Sequence, residues 1–197
     1  MVCLDKRFRN LIIIAAVLVL AFFLVNIFSG FLFDAKKEAE NMKSIISKYG
    51  VNPDSDSLLA DFAALDEAKL TGIKAELEGS RKFLIFFDKP GIISGRTDIM
   101  IEIINLAYYL KKYEEYDSLA YSNIADPCGQ IENIKKRNEF EEKTVMQVSA
   151  LQAKAEEYSG KYLEKIDLKM PAEIAEIRNL NSQHKSSLQD LIALCEG

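Results

Sequence analysis

The most continuous run of apolar positions lies near the start of the chain, at residues 11–33. This stretch, "LIIIAAVLVLAFFLVNIFSGFLF", carries no charged residue, and its first fifteen positions are all apolar. As an α-helix it would extend about 34 Å, enough to cross a hydrocarbon core of about 30 Å. The pattern predicts a single transmembrane signal anchor at 11–33. A short tail (1–10) precedes it, and a domain at 34–197 follows.

A cleaved signal peptide is the alternative for the same stretch. The uninterrupted apolar run stops at Asn26, and small residues follow at Ser29 and Gly30. However, the positions three residues before a cut after either of them hold Ile27 and Phe28, which are too bulky for a small-x-small cleavage site. We therefore favour the uncleaved anchor and keep a secreted helical domain as the open alternative.

Downstream of residue 34, apolar residues recur at every third or fourth position, the period of amphipathic α-helices. The rhythm is clearest at 99–113, and it stops at turn signals such as Pro53 and "DKPG" at 88–91. The run "FLIFF" at 83–87 also suits a short buried strand. No second strand of similar quality is available to pair with it, so we interpret it as helix. The prediction is an all-α fold, with a bundle of four to five helices after the anchor.

The last two helical segments predict a long antiparallel hairpin. A charged helix begins at about residue 131, and the final helix has apolar or polar seam positions at alternating spacings of three and four. When Val148 is placed opposite Ile174, the remaining apolar positions of the two helices also face one another. Those pairs are Val145 with Ile177, Ile134 with Leu188, and Ile131 with Leu191.

This register also brings two of the three cysteines together. Cys128 faces residue 194, next to Cys195, so we predict a Cys128–Cys195 disulfide. The alternative is that both are free thiols packed as small apolar side chains. Disulfides persist in oxidising compartments, which favours an extracytoplasmic domain at 34–197. The short N-terminal tail then stays cytosolic, because moving its three cations across a membrane is unfavourable.

Polar residues interrupt the hairpin at facing positions. The register sets Asn138 opposite His184 and Glu141 opposite Asn181, and such a polar seam can fix the alignment of two helices. The alternative is a metal or proton-linked site at His184, the only histidine of the chain. One histidine with Asn and Glu neighbours is a poor ligand set for zinc or iron.

A group of tyrosines marks the preceding helix. Tyr108, Tyr109, Tyr113 and Tyr116 form a candidate ligand or partner face. The ordinary alternative is that their rings lie at the edge of the core and their hydroxyl groups reach water.

Charge and motif content narrow the function classes. Residues 34–197 hold 22 Lys/Arg and 29 Asp/Glu, a net charge of −7. A nucleic-acid partner needs a basic face, so none is expected. Phosphate-binding loops, a nucleophile elbow and a C-x-x-C pair are absent from the sequence. We expect no enzymatic activity and no cofactor or metal.

The sequence favours a bitopic structural or interaction subunit at the cell envelope, with the bilayer and another protein as partners. The alternative is a ligand-sensing bundle that signals through a partner.

Overall fold

The protein is described by a computed structural model. It covers residues 14–15, 17–22, 35–55, 57–88, 91–122, 125–162, 166, 168, 170 and 172–196. Within these residues the regular structure is helical and no strand is present, which confirms the all-α prediction. The six α-helices that follow residue 34 are α1 (Ala35–Lys48), α2 (Leu58–Ala63), α3 (Glu67–Phe87), α4 (Ile92–Ala120), α5 (Ile131–Tyr162) and α6 (Ala172–Glu196). A 3₁₀ turn (Cys128–Gln130) precedes α5.

The helix count exceeds the four to five predicted, and residues 58–87 form two helices, α2 and α3. Asp66 caps the N-terminus of α3, and its side chain accepts a hydrogen bond from the Lys69 backbone N–H at 2.8 Å. This cap lies three residues after the end of α2, and α3 begins at the next residue. The helix α3 then continues through Gly72 and the "FLIFF" run, so residues 83–87 are helical as predicted.

The junction between α3 and α4 determines where α4 begins. Gly91 takes a left-handed conformation (φ 75°), which favours glycine. The Asp88 carboxylate accepts hydrogen bonds from the backbone N–H groups of Gly91 (3.1 Å) and Ser94 (2.7 Å). A carboxylate at a helix N-terminus satisfies free N–H groups and complements the helix dipole. As a result α4 starts at Ile92, and the "SGRT" stretch lies inside its first two turns.

The helix α4 is the centre of the bundle. It packs against α1, α2 and α3 on one side and against α5 on the other, while α6 packs mainly on α5. Each Leu, Ile or Phe side chain that is fully buried contributes about 1.5–3 kcal/mol to the hydrophobic stabilisation. The most deeply buried apolar side chains are Ile46, Phe62, Leu70, Ile73, Leu77, Leu84, Ile104, Leu106, Val148 and Leu151.

The apolar core occupies only one half of the long helices. Its buried members come from residues 42–110 and 148–177, and of the described residues at 111–147 and 178–196 only Tyr113 and Val145, both partly buried, pack against it. We call the described residues within 35–110 and 148–177 the proximal half. Residues 111–120, 128–147 and 178–196 form the distal half. The distal half is therefore held together mainly by interactions other than this core.

The predicted anchor at 11–33 lies mostly outside the described residues, as do Cys3 and the tail at 1–10. The part of this stretch that is described, residues 14–15 and 17–22, is helical. Among all described residues, no helix combines the length and the apolar character that crossing a bilayer requires.

Candidate functional site

A buried polar cluster lies where α4, α5 and α6 meet in the distal half. Four of the buried polar residues, Arg137, Asn138, Glu141 and Thr144, come from two successive turns of α5. Charged side chains are rarely this buried unless they are paired. The cluster is therefore the best-defined polar site in the described part of the chain.

Hydrogen bonds from this cluster connect α5 to α6. The Glu141 Oε2 atom lies 2.8 Å from His184 Nδ1, and the Asn138 side-chain amide donates to the His184 carbonyl oxygen at 3.1 Å. Asn138 and His184 are thus neighbours, as the predicted register requires. Glu141 is hydrogen-bonded to His184, which lies three positions after Asn181, the residue that the register sets opposite Glu141. Asn181 lies half-buried nearby.

Arg137 extends the cluster toward α4. Its Nε and Nη2 atoms donate to the Asn138 side-chain oxygen at 3.1 and 3.0 Å, and its Nη1 donates to the Tyr121 hydroxyl at 3.2 Å. The same Nη1 lies 3.6 Å from the Asp117 carboxylate. Arg137 is only 4% exposed. Its guanidinium is thus shared between two helices and the turn after α4.

The cluster is not fully satisfied. Glu141 is 1% exposed, and its second oxygen, Oε1, has no hydrogen-bond partner among the described residues. Burying an incompletely paired carboxylate costs stability, so this residue is retained at an energetic cost. Burial, together with the negative charges of Asp117 and Glu141, raises the pKa of the nearby Tyr113 to about 12.

A partly buried carboxylate, Glu102, joins α4 to α5. Burial disfavours the charged form of Glu102, but hydrogen bonds from Lys154, Gln147 and Asn105 outweigh it and lower the pKa of this carboxyl. Gln147 donates to Glu102 Oε2 at 2.5 Å, and Lys154 forms a salt bridge with the other oxygen. These contacts fix the pairing of the two central helices.

The disulfide closes the far end of the distal half. Cys128 and Cys195 are bonded, with Cα atoms 5.8 Å apart and a sequence separation of 67. The bond fastens the last turn of α6 to the 3₁₀ turn before α5. It is the pairing that the register of apolar residues predicts.

The predicted tyrosine face is divided in the structure. Tyr108, Tyr109 and Tyr116 gather around Phe140 of α5, and the Tyr116 and Phe140 rings stack with centroids 5.6 Å apart. Tyr113 instead lies close enough to Asp117 and Glu141 for their negative charges to raise its pKa. The ammonium groups of Lys136 and Lys143 lie over the rings of Tyr116 and Phe140. The aromatic group is therefore partly covered, and its rings join α4 to α5.

Two clefts lie beside these elements. One, of 350 Å³, runs between α3 and α4 and reaches Tyr108 and Tyr109. The other, of 390 Å³, lies in the proximal half and is lined by Met42, Met100 and Met170. The sequence alone does not reveal this methionine cleft, because its residues come from distant parts of the chain.

Arg137 was also missed, although a sequence signal exists. The buried stripe of α5 advances in steps of four and three from Arg137 through Glu141, Thr144, Val148, Leu151 and Ala155 to Tyr158. When the same spacing is extended from the apolar members toward the N-terminus of α5, it predicts that Arg137 is buried. Within the described residues, no group of three or more His, Cys, Asp or Glu side chains is placed to hold a metal ion.

Comparison with known proteins identifies no relative. No protein-family model, no curated protein and no solved structure matches this chain. The geometry of the distal half and of the clefts is therefore the basis for any functional conclusion.

Proposed function

We propose that this protein is a membrane-anchored, non-catalytic interaction subunit that presents its distal half to a protein partner outside the cytosol. The observation that carries the proposal is how firmly α6 is held. Its residues 178–196 add nothing to the apolar core, yet a disulfide and a buried polar cluster fix them against α5.

A rigid surface has a clear use in recognition. Binding costs conformational entropy, and a surface that is already fixed avoids part of that cost. The distal half carries a shallow groove of 340 Å³ between α5 and α6, with Leu188 beside charges of both signs. The charged residues that line it are Lys135, Glu139, Glu142 and Lys185. This mixture suits the polar rim of a protein interface.

The exposed apolar side chains near the N-terminus support membrane attachment. Ile14, Val17, Leu18, Val19 and Leu20 are each between 58% and 64% exposed. A contiguous apolar surface of this kind indicates contact with a membrane or a partner. Together with the uncharged stretch at 11–33, it supports a lipid-embedded anchor.

The disulfide supports the proposed compartment. A bond between Cys128 and Cys195 persists where the surroundings are oxidising, outside the cytosol. The proposed topology has a cytosolic N-terminus and an extracytoplasmic C-terminal domain.

Site-specific photo-crosslinking in native membranes tests the interaction. A photoreactive amino acid at Gln189, which lines the distal groove, is compared with one at Gln152, an exposed glutamine on the proximal part of α5. We expect one discrete crosslinked product from position 189 and little from 152. The product should weaken in the Cys128→Ser/Cys195→Ser variant, because α6 is then less firmly held. Equal crosslinking at both positions, or none at either, would contradict the proposal.

Ligand binding between the helices is a second candidate function. The observation that favours it is the methionine cleft, whose 390 Å³ lies in the range of about 300–1,000 Å³ that small-molecule sites occupy. The predicted location near the tyrosines is less favoured, because those rings stack on Phe140 and help to join α4 to α5.

A further inference from the structure

The Cys128–Cys195 disulfide lies at the outer end of the distal half, and neither of its cysteines is buried. Cys128 is exposed, as are the residues around it from Ala125 to Gly129, and Cys195 is half-buried. Exposed disulfides are the ones that an external thiol attacks and reduces most readily, whereas buried sulfur is protected from exchange. The bond is therefore open to a reducing thiol while the helices remain folded.

Other contacts hold Cys128 in place. It lies in the 3₁₀ turn before α5, where the Asp126 carboxylate accepts a hydrogen bond from the Gly129 backbone N–H at 3.0 Å. Further along α5, the buried Arg137 donates to the Tyr121 hydroxyl at 3.2 Å, and the whole helix packs against α4. Breaking the disulfide therefore leaves Cys128 and α5 in position.

Cys195, by contrast, belongs to a part of α6 that the core does not hold. The buried apolar residues of α6, Ile174 and Ile177, lie in its first two turns. From residue 178 onwards, the described apolar side chains of α6 are half-buried at most. The position of this part of α6 therefore depends mainly on polar contacts and on the disulfide.

The polar contacts with buried groups are at His184. Its Nδ1 lies 2.8 Å from Glu141 Oε2, and its carbonyl oxygen accepts a hydrogen bond from the Asn138 amide at 3.1 Å. At the next residue, Lys185 forms a salt bridge with Glu142 at 3.2 Å, but both side chains are about half exposed, and such pairs contribute little to stability. The remainder of α6, about three helical turns, is therefore tied to α5 chiefly by the disulfide.

The distal groove crosses this same part of α6. The helix contributes three lining residues, all of them past His184: Lys185, Leu188 and Gln189. The opposite side of the groove belongs to α5. If α6 moves away from α5 beyond His184, the two sides separate and the groove is lost.

We propose that the Cys128–Cys195 disulfide is a site of thiol–disulfide exchange with an external dithiol, and that its reduction releases α6 beyond His184 and so removes the distal groove. A protein with two active-site cysteines would supply such a dithiol. The inference rests on the proposed function only for its consequence at the groove, because the release of α6 does not require a partner.

The exchange takes place in two steps. A thiolate of the dithiol attacks the sulfur of one cysteine, forms a mixed disulfide with it and displaces the other cysteine as a thiolate. The second thiol of the dithiol then attacks the mixed disulfide and displaces the remaining cysteine. Cys128 and Cys195 together gain two electrons and two protons, and the dithiol loses them and becomes a disulfide. An oxidised dithiol reverses both steps.

Hydrogen exchange of the full chain in lipid nanodiscs tests the release, with dithiothreitol as the dithiol. Cys3 is replaced by serine throughout, so that one pair of cysteines remains. Without denaturant, we expect dithiothreitol to reduce the bond and to speed amide exchange at residues 185–196 by about tenfold or more. Exchange at Leu106 of α4 should not change, and oxidised dithiothreitol should restore protection of α6. In the matched Cys128→Ser/Cys195→Ser variant, residues 185–196 should exchange rapidly whether or not dithiothreitol is present.

Three results would overturn the inference. The bond could resist dithiothreitol until a denaturant is added, which would show that it is closed to exchange in the folded protein. It could be reduced without any change at residues 185–196, which would show that α6 is held without it. Protection could also be lost at Leu106, which would show that reduction unfolds the bundle instead of releasing one helix end.

Photo-crosslinking from Gln189 separates this inference from the proposed function. We expect reduction to abolish the crosslinked product and reoxidation to restore it. A product that persists after α6 has been released would overturn the link between the disulfide and the groove. If dithiothreitol releases α6 but no product forms in either redox state, the proposed function fails and the exchange site stands.

Discussion

The proximal and distal halves of the bundle use different interactions although the same two long helices, α4 and α5, run through both. In the proximal half, the side chains between the helices are apolar, and Phe62, Ile46 and Ile73 are completely buried. In the distal half, the buried positions of α5 are Arg137, Asn138, Glu141 and Thr144. A disulfide closes its far end.

The difference shows how a helical hairpin can be held without a continuous apolar core. Apolar burial is non-directional and scales with area, so it stabilises the proximal half wherever complementary shapes meet. Hydrogen-bonded polar groups and a covalent bond act between specific atoms. The main effect of these interactions is therefore to fix the alignment of α6 on α5. Their contribution to the free energy of unfolding is smaller.

The largest expected effect is in the proximal core. Phe62→Ala should reduce the free energy of unfolding by about 3–5 kcal/mol, because it removes a fully buried ring and leaves a cavity. The control is Leu194→Ala, at a distal leucine that is 76% exposed, where the change should be within about 0.5 kcal/mol. Chemical denaturation followed by circular dichroism measures both. A similar loss of stability in the two variants would contradict the conclusion that the apolar core stabilises mainly the proximal half.

Removal of the disulfide should have the next largest effect. The Cys128→Ser/Cys195→Ser variant should lose at most about 4 kcal/mol, the chain-entropy value for a closed loop of this size. Hydrogen exchange should increase in the last turns of α6, whereas protection of α4 at Leu106 should remain higher. Uniform loss of protection throughout the chain would show that the two halves unfold as one unit.

The smallest of these effects is expected at the polar cluster. Glu141→Gln keeps the shape of the side chain but replaces a charged hydrogen bond to His184, so we expect a loss of about 1–2 kcal/mol. The paired replacement Glu141→Met/His184→Leu should recover most of this loss, since apolar residues of similar volume can often replace a buried hydrogen-bonded pair. A double variant much less stable than Glu141→Gln would show that the polar pair is a net source of stability.

Much of the fold was predictable from the order of residues. Helical periodicity established the all-α class, and the alternating spacings of α6 gave an alignment in which Cys128 meets Cys195. Both inferences depend on local or pairwise patterns, which the sequence displays directly. The boundary between α2 and α3 was missed, because Asp66 acts as a cap only when the preceding chain turns away from the helix axis.

What the sequence determined by itself is the type of each segment, since periodicity, charge and turn residues act over a few neighbouring positions. Only the tertiary structure decided which faces became buried. The helix α5 lies between α4 and α6, so Arg137 and Glu141 became interior while Ile131 and Ile134 stayed half-exposed. The methionine cleft likewise depends on residues 42, 100 and 170 meeting in space, and long-range proximity of this kind leaves no local pattern in the chain.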